Sequence, residues 1–224
     1  MTNNLMENLK AMGCNPEIVD GGVRLNAPSV SKLYRYDELS DGIKETFKSV
    51  YTEENIDLFK EDFEYDNLEC RFLNSDLHTQ LSWLCSQGDG VNIYGKVNLV
   101  DWLAIWKANE TDKLLMEMYI DNSIDTYVFE RNSRYTYSLK FKALDEVDAT
   151  VDDFITDLPY GMQDADRDLI TRFFTDLIEY FIELEDKLEK ELYEFIYNPN
   201  EDDIREFFEG WLFTFKGDVV TRGY

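Results

Sequence analysis

The sequence predicts an α+β fold in which antiparallel β-hairpins pack with helices and a long amphipathic acidic helix occupies the C-terminal half. Three observations predict it. Apolar residues recur at helical spacing through Asp164–Glu194, apolar and polar residues alternate on both sides of the glycine-rich stretch 87–90, and the composition turns sharply acidic after residue 143. One domain is expected over 1–224, with a mixed α/β portion at 1–143 and an acidic helical portion at 144–224 that ends in a small hairpin.

Taken in order, Leu5, Met6, Leu9 and Met12 share one face of a short helix over Asn4–Met12, which Gly13 ends. Glu17–Leu25 reads as a hairpin turning at Asp20, Gly21 and Gly22. A short strand through Leu33, Tyr34 and Tyr36 precedes a helix over Asp37–Tyr51, capped at Ser40 or Asp41, and a second helix over Glu53–Phe63. Leu77, Thr79, Leu81, Trp83 and Cys85 alternate with more polar neighbours up to Ser86, and Val91, Ile93 and Val97 alternate after the turn Gln87, Gly88, Asp89 and Gly90. A helix over Leu99–Lys107 carries Trp102 and Trp106, and a tyrosine-rich hairpin is expected over Asp125–Phe141.

The acidic portion contains a short helix near Val151–Leu158, a break at Pro159–Gly161, the long helix, a break at Asn198–Asn200, a helix over Asp202–Phe208 and a hairpin over Leu212–Val220. In the long helix Ile170, Phe173, Leu177, Phe181, Leu184, Leu188, Leu192 and Phe195 form one row at steps of three or four, widened by Ile178 and Ile182. That row must be buried. Asp168, Arg172, Asp176, Glu179, Glu183, Asp186, Lys190 and Glu194 form the opposite row, and ordinary solvation of a polar face accounts for any one of these acids alone.

Charge sets limits on function. The net charge is −25, and residues 145–209 hold 22 acids against five bases, so about two thirds of the excess lies in under a third of the chain. Such a chain repels nucleic acid and anionic membranes and attracts basic partners. A hydrophobic content of 44% argues for a folded protein in spite of that charge. Cys14, Cys70 and Cys85 are odd in number and lack metal or redox spacing. With no secretory pattern in Met1–Leu9 and no apolar run of membrane-spanning length, the expected compartment is the cytoplasm.

Catalytic signals are sparse. Asp89 in the hairpin loop Gln87, Gly88, Asp89, Gly90 is a candidate cation ligand or base, with Glu69, Asp76 and Asp101 as candidate fellow carboxylates, but Asp and Gly also simply build tight turns. His78, the only histidine, has no serine or cysteine at a telling spacing. No phosphate-binding loop, dinucleotide fingerprint, zinc spacing or calcium loop occurs, so no catalytic residue, metal ligand or cofactor is assigned. Trp102, Trp106 and the tyrosine-rich hairpin are either core or a recognition surface, and Arg131, Arg134 and Lys140 are too few to hold nucleic acid against the overall charge.

Tyr36, Asp37, Glu38, Leu39, Ser40 and Asp41 before a helix with Lys44, then Ser86, Gln87, Gly88, Asp89, Gly90 and Val91 with Gly95 after them, resemble a group of uncharacterised acidic phage-encoded proteins. The long acidic helix and the aromatic strand at Phe213–Asp218 resemble it too, with the Gly and Asp of the last turn in reversed order. The resemblance implies a phage protein acting in the host cell and carries no functional residues. The concentrated negative charge, in a chain that resembles phage proteins, gives the expectation of an inhibitor of a host defence nuclease or CRISPR effector that mimics nucleic acid and occupies a basic channel. Its expected contact residues are Asp168, Asp176, Glu179, Glu183, Asp186, Glu194, Asp202 and Asp203. From Asp168 to Glu194 the helix runs about 39 Å, along which one DNA strand presents about eleven phosphates. Six acids are too dilute to match them, so mimicry needs the acids of 145–157 and 201–209 on the same surface. The alternatives are a protein-interaction module that docks on a basic protein without mimicry, such as a host-takeover or antitoxin-like factor, and a metal-dependent enzyme centred on the Asp89 hairpin.

Overall fold

The computed structural model describes residues 15–19, 22–26, 33–82, 90–129, 147–162, 164–214 and 216–221. Within them it is α+β, with antiparallel strands and a long C-terminal helix as the patterning requires. No helix among the described residues is long and apolar enough to cross a membrane. The chain divides into two compact units, one made of Glu54–Asn198 and the other of Met1–Glu53 with Pro199–Tyr224.

The Glu54–Asn198 unit is built on a sheet of order β3-β4-β5, formed by β3 (Asp76–Ser82), β4 (Gly90–Asn98) and β5 (Thr126–Phe129). All pairs are antiparallel, with Thr79 opposite Ile93 and Val97 opposite Tyr127. Helix α2 (Leu99–Ile105) follows β4 directly because the Asn98 side chain accepts the N–H groups of Val100 and Asp101. Helix α3 (Glu110–Ile120) lies in a stretch whose apolar spacing does not announce it; its local signal is the Asn109 cap, which accepts the Asp112 N–H at 2.9 Å. Helix α4 (Val147–Asp157) buries Val147, Val151 and Phe154. The long helix α5 (Arg167–Tyr197) starts at an Asp166 cap that accepts the Leu169 N–H at 3.1 Å.

The apolar row of α5 is buried from Ile170 to Leu192, with Phe195 half-buried at its end. Phe181 meets Phe129 of the sheet at 4.7 Å between ring centroids, Phe174 meets Phe154 of α4 at 5.4 Å, and Phe173 meets Trp106 at 5.0 Å. Trp102 and Trp106 are thereby core residues, and the recognition surface considered for them is absent. The tyrosine-rich hairpin is described only in its first arm, β5, which pairs with β4; the rest lies outside the described residues.

In the other unit, β1 (Asn15–Val19) and β2 (Gly22–Asn26) form the expected first hairpin. The short helix expected at Asn4–Met12 lies outside the described residues. The expected strand at Leu33–Tyr36 is reduced to a single bridge, Tyr34 with Phe213, followed by a 3₁₀ turn at Tyr36–Glu38. The two helices expected over Asp37–Phe63 are one, α1 (Asp41–Glu64), and the boundary between the units falls within it. The break expected after Tyr51 is missing because Thr52 turns its hydroxyl back onto the Lys48 carbonyl at 3.0 Å and stays buried in the helix. Helix α6 (Glu201–Phe207) and the small hairpin of β6 (Leu212–Phe213) and β7 (Val219–Thr221) complete this unit. Its core is aromatic: Tyr36 stacks on Phe208 at 5.3 Å, and Phe47 meets Phe213 at 4.8 Å.

Two sites in the fold yield measurable outcomes. Gly95 holds a φ of 126°, and a Cβ there would stand 2.0 Å from the Asp76 carbonyl oxygen. Gly95→Ala is expected to cost at least about 2 kcal/mol in denaturant unfolding. The Tyr36 hydroxyl is buried with no hydrogen-bond partner among the described residues, and its pKa is raised, first by burial and next by the Glu201 carboxylate. A tyrosine with a raised folded-state pKa contributes stability that is present below about pH 10 and is lost as pH rises further. Tyr36→Phe is therefore expected to be at least as stable as the parent at neutral pH, and to lose less stability between about pH 9 and about pH 11 in denaturant melts.

Candidate acidic binding face

Helix α5 presents carboxylates because its 31 residues contain no glycine or proline and its apolar stripe orients the whole cylinder. Asp168, Glu179, Glu183, Asp186 and Glu194 are exposed, so the polar row expected on this helix exists in five of its six acids. Asp176 departs from it. Its carboxylate is half-buried and accepts the Trp106 indole N–H at 2.7 Å. Sequence spacing placed Asp176 in the exposed row as an expected contact residue, and the Trp106 indole, seventy residues earlier in the chain, engages it instead.

The cations of α5 are engaged at its N-terminal end. Arg172 donates to Asp112 of α3 and lies 5.6 Å from the centre of the Trp106 ring. Arg167 bonds Asp152 and lies 3.6 Å from Asp148, both on α4, and these carboxylates hold its guanidinium above its ordinary pKa. The remaining exposed acids of α4, Asp153 and Asp157, lie about 100° and 140° around that helix from Asp152. The α4 acids are therefore divided between two directions, and the pair nearest α5 already has a cation.

Three further acids proved structural. Glu185 is 2% exposed and accepts the Ile93 N–H at 2.8 Å and the Asn92 amide at 3.1 Å, tying α5 to the backbone of β4. Glu64 accepts both the N–H and the hydroxyl of Thr79 in β3, at 2.5 and 2.8 Å. Asp101 accepts from the Asn74 N–H at 2.7 Å, from the Asn74 amide at 2.8 Å and from the Ser75 hydroxyl at 2.9 Å. Sequence spacing marked none of these as buried, because a buried carboxylate is defined by donors from distant segments.

Asp202 and Asp203 are exposed on α6, in the other unit. Arg205 bonds Asp202 and Asp37, each at 2.8 Å, and the Asp37 bond leads in holding its guanidinium above the ordinary range. Asp203 adds to burial in raising the Tyr51 hydroxyl.

The hairpin loop is described only at Gly90, the first residue of β4, opposite Ser82; Gln87, Gly88 and Asp89 lie outside the described residues. Of the carboxylates considered as their fellows, Asp101 is committed to its three donors, Asp76 pairs with His78 at 3.1 Å, and Glu69 is exposed on a π-helical turn. Among the described residues no three His, Cys, Asp or Glu side chains group as metal ligands. Compared with protein-family models, curated proteins and solved structures, the chain matches none.

The acids thus fall into two classes that stability measurements separate. Glu185→Ala and Asp176→Ala remove acceptors from buried donors and are expected to cost about 1–3 kcal/mol each in denaturant unfolding. Asp168→Ala, Glu179→Ala and Glu183→Ala are expected to stay within about 0.5 kcal/mol of the parent.

Proposed function

We propose that this chain is a binding protein that docks the carboxylate row of α5 on a basic surface of a partner, and that it acts as a phage-encoded inhibitor of a host nucleic-acid-binding protein such as a defence nuclease. The observation that carries this reading is the exposure of Asp168, Glu179, Glu183 and Asp186 on one rigid helix whose other face is fixed in the core. The carboxylates are held in a line before the partner arrives, so little ordering is needed on binding. A net charge of −25 steers a basic partner towards the protein and disfavours direct contact with nucleic acid. The resemblance to acidic phage proteins supports a host protein as that partner.

Of the two ways to occupy a basic surface, docking without mimicry is the better supported. Five exposed acids stand where one strand presents about eleven phosphates. Arg172 and Lys190 interrupt the row, and Asp176 is bonded inward. Nucleic-acid mimicry is the second reading, favoured by the concentration of 22 acids in residues 145–209.

Affinity capture from host extract, at low and high salt, tests the proposal. A partner retained at low salt is expected to be released as salt rises, and Glu179→Lys with Glu183→Lys is expected to weaken its capture at least tenfold, roughly the effect of turning a complementary pair of contacts repulsive. Undiminished capture by that variant would sink the reading. Adding the partner's own nucleic acid then decides the manner of binding: displacement of the chain supports mimicry, and a ternary complex supports docking beside the nucleic-acid site.

A further inference from the structure

We propose that Tyr193 and Tyr197 form an arginine-receiving patch at the C-terminal end of the acidic face of α5, taking guanidinium groups of the basic partner; the inference rests on the reading above. The two rings are 57% and 50% exposed. They sit one helical turn apart with centroids 4.6 Å from each other and planes inclined at 43°. Placed seven and eleven residues after Asp186, they lie within about 20° of it around the helix axis, so they continue the carboxylate row. Neither tyrosine belongs to the apolar stripe that fills the core, and both rings are exposed beside the charged residues of the helix.

Chemistry narrows what covers them. Glu189 lies one helical turn before Tyr193, and Glu194, which accepts the Asn198 amide at 3.0 Å, lies one turn before Tyr197, with Lys190 as the cation of the same turn of α5, so the carboxylates outnumber it and favour a positive group over an anionic or purely apolar one. An aromatic face attracts a cation through its quadrupole. Guanidinium is planar and weakly hydrated, so it stacks on a ring while its N–H groups reach carboxylates at the edge; ammonium is compact, strongly hydrated and cannot do both. Tyrosine rings with adjacent carboxylates therefore select arginine over lysine, whereas the carboxylates Asp168, Glu179 and Glu183, farther along the helix, respond to charge alone.

Nona-arginine and nona-lysine peptides, titrated into the full chain at low salt with heat or fluorescence anisotropy as readout, test the assignment. The parent protein is expected to bind nona-arginine at least about fivefold more tightly than nona-lysine. Tyr193→Ala with Tyr197→Ala is expected to lose that preference while keeping its affinity for nona-lysine, and the double Phe variant is expected to retain the preference, because the ring and not the hydroxyl receives the cation. Glu179→Gln with Glu183→Gln is expected to lower both affinities alike. Equal binding of the two peptides by the parent, or an arginine preference that survives the double Ala variant, overturns the tyrosine assignment and leaves the acidic face standing. Failure of both peptides to bind at low salt overturns both readings.

Discussion

The burial of one face of α5 against the β3-β4-β5 sheet is the constraint on which the Glu54–Asn198 unit depends. Phe173, Phe174, Leu177, Ile178 and Phe181 are fully enclosed, and they bring the sheet, α2 and α4 into one core. A helix that loses its apolar stripe to the interior has no freedom to rotate about its axis. Every polar residue on it then acquires a fixed direction. Glu185 adds a polar anchor to this apolar contact: its Oε1 accepts the Ile93 N–H, so helix and strand are joined by a side-chain hydrogen bond that is itself buried.

The same constraint sorts the acids. A carboxylate whose direction points at a donor becomes structural, as Asp176 does against Trp106 and Asp101 does against Asn74 and Ser75. A carboxylate that meets no donor among the described residues stays exposed, as Glu179 and Glu183 do. The excess charge of the chain is thus not one property with one purpose. Part of it satisfies buried N–H groups, part is neutralised by Arg167, Arg172 and Arg205, and part forms the exposed row of α5. Counting acids in the sequence overstates the surface available to a partner.

The other unit follows a different logic. Its core depends on aromatic rings drawn from two distant stretches, with Tyr36 and Phe47 from one and Phe208, Trp211 and Phe213 from the other. The bridge between Tyr34 and Phe213 exchanges two backbone hydrogen bonds of 2.9 Å each, and Gly217 allows the terminal turn to approach Ile43, where a Cβ would stand 2.6 Å from the Ile43 Cγ2. No periodicity in either stretch announces the other, because an aromatic cluster requires shape and contact but no spacing.

Local physics made much of this protein legible from its residues. The alternation around Thr79 and Ile93 determined a hairpin, and the three-to-four spacing from Ile170 to Leu192 determined a helix and its buried face, since both patterns follow from the repeat of the backbone itself. Asn98 and Asp166 mark helix starts for the same reason, since a cap acts within three residues. What tertiary structure decided is where the remaining groups find partners. That Trp106 is core and not a recognition residue, that Asp176 leaves the exposed row and that Glu185 is buried each depend on contacts across 70 or more residues, and the exposure of Tyr193 and Tyr197 depends on how the rest of the unit packs around the helix. The sequence alone determined a helix with a charged side; the packing around it decided which of those charges, and which aromatic rings beside them, are left for another molecule to meet.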